Sequence, residues 1–166
     1  MLITEVISEM IRYYSGDPRR VAHFMKVYSF AKTIGEREGI DHETQEILEV
    51  AAAMHDIGIK IAEEKYNSSA GKYQEQEGPE PARKMLSALG ADKKLTERVI
   101  YLIAHHHTYK NIDGMDYQIL IEADFLVNAY EDGLAEQSIR TMREKIFRTK
   151  SGTEFLDNIF DLGRDH

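Results

Sequence analysis

Apolar residues recur at intervals of three and four along most of the chain, which is the spacing of one face of an α-helix. The first series stops near Gly16. The second follows Asp17 and Pro18, which suit the N-cap and the first position of a helix, and it ends at Gly39. No segment shows sustained two-residue alternation rich in β-branched residues. The sequence therefore predicts an all-α fold, a helical bundle of about 7–8 helices.

The third series is apolar on almost every side and predicts a buried central helix that begins after Asp41. It runs into AAAMHDIGIK at residues 51–60, where His55 and Asp56 stand side by side before Gly58. An imidazole and a carboxylate at a buried helix end are costly to desolvate without a partner. A divalent cation is one partner that would satisfy both groups.

Residues 60–81 are the least regular part of the chain, with many turn formers and charges. Their length exceeds that of most connections, so we predict a loop or lid with short helical turns. Helices are expected over 82–89, from Asp92 into the run His105-His106-His107, over 117–130, and in two segments within 134–160 that Ser151-Gly152 separates.

Composition limits the classes of function. The 166 residues fit one domain over 1–166. A balance of 21 Lys+Arg against 29 Asp+Glu gives a net charge of -8, which argues against an extended nucleic-acid surface. There is no cysteine, so disulfides and thiolate metal sites are excluded and any metal must have N and O ligands. The N-terminal MLITEVISEM is unlike a signal peptide and no apolar run is long enough for a membrane span, so a cytoplasmic protein is expected.

Three elements on predicted helices resemble the HD-domain superfamily of metal-dependent phosphohydrolases. In chain order they contain His23, the pair His55-Asp56, and Asp124. HDIG is a typical form of the family's central motif, EADFLVN resembles the segment around its last aspartate, and EGPEPARKML resembles the helix that follows the central motif. The resemblance covers residues 18–130. The C-terminal helices of 131–166 are expected to pack on this core or to pair with another chain.

The resemblance implies a metal site and a reaction. Its ligands would be His23, His55, Asp56 and Asp124, which together would bind one divalent cation. Mn, Fe, Co, Ni and Mg are not distinguished by such ligands. The implied activity is hydrolysis of a phosphate ester or anhydride of a small molecule by attack of a metal-bound water, with a nucleotide as the leading candidate.

The histidine run resembles the paired histidines of the family. Because adjacent helix positions diverge by about 100°, at most two of the three should face the site. The apolar spacing favours His106, with His105 or His107 beside it, to bind phosphate or protonate the leaving group. The predicted catalytic residues are therefore Asp56, His106 and His105. The predicted substrate-binding residues are Arg20, Lys60, Glu77 and His107.

The chain departs from the dinuclear version of the family at one position. A histidine usually stands four residues before the glycine that here is Gly78, but this chain has Gln74, a poor metal ligand. A second metal is therefore not expected unless Glu75 or Glu77 substitutes for the missing histidine.

Other interpretations stay open at this point. The resemblance also extends to di-iron oxygenases, against which Gln74 speaks, and to modules that sense a nucleotide without turnover. Asp124 has a purely structural alternative, a buried salt bridge to Arg98 or a lysine. His55-Asp56 has one too, as the C-terminal end of a helix, where a protonated histidine is favourable.

Overall fold

A computed structural model describes residues 1–164 of the chain, and helices form most of this part. The helices are α1 Leu2–Tyr13, α2 Pro18–Glu38, α3 His42–Met54, α4 Ile59–Tyr66, α5 Gly71–Glu77, α6 Pro79–Ala88, α7 Lys93–His105, α8 Met115–Glu131, α9 Glu136–Lys145 and α10 Lys150–Ile159. Residues 1–164 contain no β-strand, which confirms the all-α prediction. None of these helices combines the length and apolar character needed to cross a bilayer.

Helix α3 lies at the centre of the core and packs against α1, α2, α7 and α8. Residues 50–54 at its C-terminal end are fully buried, as expected of a helix that is apolar on every side. Helix α8 is also buried along most of its length. Since α2, α3 and α8 pack on one another, polar residues on their facing sides must satisfy each other or bind something.

The ends of the helices follow local capping rules. The carboxylates of Asp17, Asp41 and Asp92 accept hydrogen bonds from backbone N–H groups three residues later, at 3.2, 2.9 and 2.8 Å. Gly39 ends α2 in the left-handed conformation with φ 69°, which costs glycine little. These boundaries confirm the prediction that capping residues mark the starts of α2, α3 and α7.

The stretch predicted as a loop or lid is mostly helical. It contains α4 and α5, and only residues 67–70 lie between them outside a helix. Helix α5 sits tightly against Gly58, where an added Cβ would lie 2.5 Å from the carbonyl oxygen of Gln74. Two helices in this stretch explain why the structure has more helices than the sequence indicated.

The C-terminal boundary differs from the prediction. Ser151-Gly152 does not separate two helices but lies in the first turn of α10, and the break falls at residues 146–149. Thr149 is the N-cap, and its hydroxyl oxygen accepts a hydrogen bond from the N–H of Gly152 at 2.9 Å. Glycine fits here because a Cβ would overlap the carboxylate of Glu122 on α8. The helix start is therefore set by the local cap at Thr149, and the glycine inside the first turn is explained by the close approach of Glu122.

Candidate metal centre

Four polar side chains from three helices meet at the buried centre of the fold. His23 comes from α2, Asp124 from α8, and His55-Asp56 from the turn that directly follows α3. His55 is fully buried, and each of the other three is at most 9% exposed. The helices bring together all four residues that the resemblance implied as metal ligands.

The donor atoms of this cluster point into one small space. His23 Nε2 lies 3.1 Å from Asp56 Oδ2 and 3.4 Å from Asp124 Oδ1. His55 Nε2 lies 3.3 Å and 3.2 Å from the same two oxygen atoms. The two Nε2 atoms are themselves 3.3 Å apart. Two imidazoles and two carboxylates therefore converge with one atom each.

The outer nitrogen of each imidazole is already engaged. His55 Nδ1 lies 2.7 Å from the carbonyl oxygen of Ala52, and His23 Nδ1 lies 2.6 Å from Glu131 Oε1. Since both partners are acceptors, each Nδ1 carries the proton and donates. This arrangement leaves the lone pair of each neutral ring on Nε2, directed at the centre of the cluster.

One buried atom tests whether a cation fits. Asp124 Oδ1 is buried and accepts no hydrogen bond from residues 1–164. An unsatisfied buried carboxylate oxygen is costly, and a positive charge in the same space removes that cost. The donor set is nitrogen and oxygen only, which suits a divalent cation of the Mn, Fe, Co, Ni or Mg group. The residues present therefore fit the cation that the sequence suggested.

The electrostatics of the cluster point the same way. Burial opposes the charged ring of His23, but the adjacent carboxylates of Asp124 and Asp56 raise its pKa to about 10. The pKa of His55 is raised too, since the two carboxylates outweigh its burial. Burial also opposes ionisation of Asp124 and Asp56, yet the imidazoles, His55 first, hold the pKa of each carboxyl well below its usual range. The carboxylates thus draw positive charge into the cluster.

The histidine run contributes His106 and His107 to the edge of the cluster. His106 Nε2 lies 3.7 Å from Asp56 Oδ1, and His106 Nδ1 donates to the carbonyl oxygen of Ile103 at 2.7 Å. Asp56, His106 and His107 form a second group whose donor atoms lie within 4.8 Å of one another. Burial, followed by the neighbouring His106, lowers the pKa of His107 to about 4, so this ring is neutral near pH 7.

Gln74 stands where a second cation would need a ligand. Its Oε1 lies 3.1 Å from His106 Nε2 and 2.8 Å from His107 Nε2, while its Nε2 donates to the carbonyl oxygen of Ser69 at 2.6 Å. Gln74, the residue that departs from the dinuclear pattern, therefore lies within the site itself, where its amide oxygen contacts the rings of His106 and His107.

The two nearby glutamates are engaged elsewhere. Glu75 accepts from the N–H of His107 at 3.1 Å and from the hydroxyl of Thr108 at 2.9 Å. Glu77 lies 3.2 Å from Lys65 Nζ and accepts from the hydroxyl of Tyr66 at 2.8 Å. Neither carboxylate takes the place of the missing histidine, and Glu77 does not line the cavity that leads to the cluster.

The structure places His105 apart from this site, although the sequence grouped it with the catalytic residues. Its ring stacks on Tyr101 with centroids 4.1 Å apart, and its Nδ1 donates to the carbonyl oxygen of Tyr101 at 2.7 Å. The separation follows from helical geometry, which turns His105 about 100° away from His106.

A cavity of about 360 Å³ opens onto the cluster. Besides cluster residues, its lining includes Arg19, Arg20, Ser69, Asn128, Glu131 and Asp132. Of the substrate-binding residues predicted from the sequence, Arg20 and His107 line the cavity. Lys60 does not, because its ammonium group lies over the ring of Tyr13, 5.1 Å from the centroid.

Several residues of the cavity wall, Arg19 among them, were not predicted from the sequence. Asn128 and Glu131 also line the wall and were not predicted. The helical register offered a signal, because these two residues lie four and seven positions after Asp124 and so share its face of α8.

Asp124 does not form the buried salt bridge to Arg98 that the sequence left open. Arg98 pairs instead with Asp116 at 2.8 Å and Asp113 at 3.0 Å. The nearest charged partners of Asp124 are the two histidines of the cluster.

Comparisons with known proteins agree with this geometry. The family described as HD domain matches residues 20–145. The fold is similar to the crystal structure of a protein described as a predicted HD superfamily hydrolase from an uncultured Thermotogales bacterium. The TM-score is 0.65 at 23% sequence identity, covering 97% of this chain and 84% of that chain. No curated protein matches the chain.

Proposed function

The chain belongs to the HD-domain family, and we propose that it is a metal-dependent phosphohydrolase that acts on a small phosphorylated molecule. One observation carries this proposal above the others. The buried cluster of two imidazoles and two carboxylates, with Asp124 Oδ1 lacking a hydrogen-bond donor, opens onto a cavity that is also lined by arginines.

The cluster residues would hold a divalent cation through His23 Nε2, His55 Nε2 and the carboxylates of Asp56 and Asp124. When bound, such a cation lowers the pKa of a water ligand and polarises a phosphoryl oxygen.

Asp56 is suited to two tasks because its two oxygen atoms face different partners. Oδ2 faces His23 and His55, whereas Oδ1 faces His106. We propose that Oδ2 would hold the cation and that Oδ1 would accept a hydrogen bond from the attacking water and so orient it. His106 is only 1% exposed and does not line the cavity, so its role is to orient Asp56.

The cavity wall supplies groups for the phosphate. Arg19 lines the cavity and forms no ion pair with any residue of 1–164, whereas Arg20 pairs with Glu63. The guanidinium of Arg19 is therefore available to bind phosphate oxygen atoms. His107 is neutral and also lines the cavity, where it contributes a hydrogen bond to the substrate rather than a charge.

The substrate is proposed to be of nucleotide or sugar-phosphate size. A cavity of about 360 Å³ lies at the small end of the range for small-molecule sites. Glu131 and Asp132 on the α8 side disfavour a second phosphate there and favour hydroxyl or amino groups of the substrate.

The direct test is hydrolysis by chelator-stripped protein. Mn, Fe, Co, Ni and Mg ions are added singly, with nucleotides, sugar phosphates and an aryl phosphate as substrates. We expect phosphate release that depends on the metal and is absent in Asp56→Ala. A matched control is Asp116→Asn, a buried carboxylate paired with Arg98 outside the cavity, which should retain activity at temperatures where it is folded.

The other outcomes separate the alternatives. Binding of one metal and of a nucleotide without turnover, across all five metals, would overturn the hydrolase proposal in favour of a sensor. Two irons per chain would favour the oxygenase alternative.

Gln74→His is expected to raise the metal content from one to two divalent ions per chain. The substitution puts an imidazole beside His106 and His107, where the amide oxygen of Gln74 now lies. Elemental analysis after equilibration with Mn²⁺ or Fe²⁺ checks the result. Gln76→His is the control because Gln76 lies on the same helix but is exposed and lies outside the cavity lining. One metal ion per chain in both variants would show that Asp56, His106 and His107 cannot bind a second cation even with a histidine at position 74.

A further inference from the structure

We propose that Glu131, held by Lys26, is a positioning residue that fixes the ring of His23 so that Nε2 faces the metal site. This inference rests on the metal site of the proposed function but concerns residues outside the ligand set. Neither Glu131 nor Lys26 belongs to the motif that identified the family.

A continuous chain of polar contacts joins the surface to the cluster. Lys26 Nζ donates to Glu131 Oε2 at 3.0 Å, and His23 Nδ1 donates to Glu131 Oε1 at 2.6 Å. The opposite ring nitrogen, His23 Nε2, then faces Asp56 and Asp124. One carboxylate thus uses one oxygen atom for Lys26 and the other for His23.

The spacing along each helix places two residues of α2 opposite two residues of α8. His23 and Lys26 are three positions apart on α2, which is about one helical turn. Asp124 and Glu131 are seven positions apart on α8, about two turns. Because α2 and α8 pack together, their contact supplies two ligands and the group that orients one of them.

The two histidine ligands differ in what holds them. The outer nitrogen of His55 donates to a backbone carbonyl, that of Ala52, which no side-chain substitution removes. The outer nitrogen of His23 depends on a side chain, that of Glu131. Without this acceptor, the ring of His23 is free to rotate, and nothing then holds Nε2 toward Asp56 and Asp124.

A rival role for Glu131 is direct contact with the substrate, because it also lines the cavity. The two roles predict different measurements. A positioning residue changes the affinity for the metal in the absence of substrate. A substrate-contact residue changes KM and leaves the metal affinity unchanged.

The experiment measures zinc affinity of the chelator-stripped full-length chain by competition with a chromophoric chelator. We expect Glu131→Ala to weaken zinc binding by about 10–100-fold, the usual effect of removing an outer partner of a metal-bound histidine. Glu131→Gln keeps an acceptor for Nδ1–H and should lose less than Glu131→Ala. Lys26→Ala should cost less still, because its ion pair with Glu131 is partly exposed.

The matched control is Asp132→Ala. Asp132 is the next residue, lines the same cavity and carries the same charge, but no hydrogen bond or ion pair joins it to His23. It therefore reports the effect of losing one negative charge near the site. A second readout is the Nδ1–H resonance of His23 in the zinc-loaded protein, which should be present in the parent chain and absent in Glu131→Ala.

Equal zinc affinities of Glu131→Ala and Asp132→Ala would overturn the positioning role. Circular dichroism checks that each variant is folded. If Glu131→Ala does not fold, Glu131→Gln takes its place in the comparison, because it preserves the side-chain volume. Zinc binding by a parent chain that releases no phosphate with any of the five metals would refute the proposed activity while leaving the affinity comparison decisive for Glu131. Failure of the parent chain to bind zinc would overturn both.

Discussion

Asp124→Asn is expected to lower the rate of phosphate release by more than about a hundredfold and to weaken metal binding at least as much. Loss of a partner that only orients a ligand costs about 10–100-fold, and Asp124 is itself a proposed ligand. Asparagine has the same shape but removes the charge that faces both His23 and His55. Its amide also offers a weaker donor atom to a divalent cation.

The same variant should lose most of the stabilisation that a metal provides. A ligand present at a hundred times its Kd stabilises the folded state by about 2.7 kcal/mol. If the affinity falls a hundredfold, the same concentration gives only about 0.4 kcal/mol. Urea unfolding with and without Mn²⁺ measures this increment directly, and any change in the metal-free stability cancels.

Asp116→Asn provides the comparison for this experiment. Asp116 is a buried carboxylate of the same helix, but it pairs with Arg98 and lies outside the cluster. The free energy of unfolding of metal-free Asp116→Asn should be lower than that of the parent chain. The stabilisation that Mn²⁺ adds to this variant should equal the parent value. An unchanged increment in Asp124→Asn would contradict the assignment of Asp124 as a ligand.

Glu122→Ala is expected to lower the free energy of unfolding by about 3 kcal/mol or more, because a buried donor left without an acceptor costs about 1–3 kcal/mol and Glu122 accepts from four donors. Glu122 is fully buried on α8 and binds the segment that leads into α10. Its Oε2 accepts from Gln118 Nε2 at 2.6 Å and from the N–H groups of Arg148 and Thr149 at 2.9 and 3.1 Å. Its Oε1 accepts from the hydroxyl of Thr149 at 2.5 Å. Alanine leaves these donors buried without an acceptor.

Denaturant unfolding of Glu122→Ala and Glu122→Gln tests this expectation. Glutamine keeps the shape and one acceptor oxygen, so its loss should be smaller than that of alanine. Glu144→Ala, an exposed carboxylate on α9, should change stability by no more than about 0.5 kcal/mol. A loss below about 1 kcal/mol in Glu122→Ala would mean that water replaces the carboxylate without strain.

Much of the fold could be predicted because its signals are local. The start of α2 depends on Asp17 and Pro18, and its end on Gly39, all within a few residues of the boundary they set. The all-α class follows from the three-to-four spacing of apolar residues, which each helix displays by itself. At Gly152 the local signal was misleading, because this glycine lies inside α10 where Glu122, from a distant part of the chain, leaves no room for a Cβ.

The centre of the candidate site could also be named from the sequence. His55 and Asp56 stand out because ionisable groups at the buried end of an apolar helix need partners, and the resemblance implied His23 and Asp124 as the other two ligands. The order of the three elements then matched one family, which the comparisons confirm.

The surroundings of that centre were decided by tertiary structure. Three features depend on how α2, α7 and α8 lie against one another. They are the contact of Glu131 with His23, the position of Arg19 in the cavity wall, and the orientation of His105 away from the cavity. The sequence by itself determined most of the helices and the four residues that could hold a cation. Packing alone decided which outer side chains orient those residues, because contacts between residues more than a hundred positions apart leave no periodic pattern along the chain.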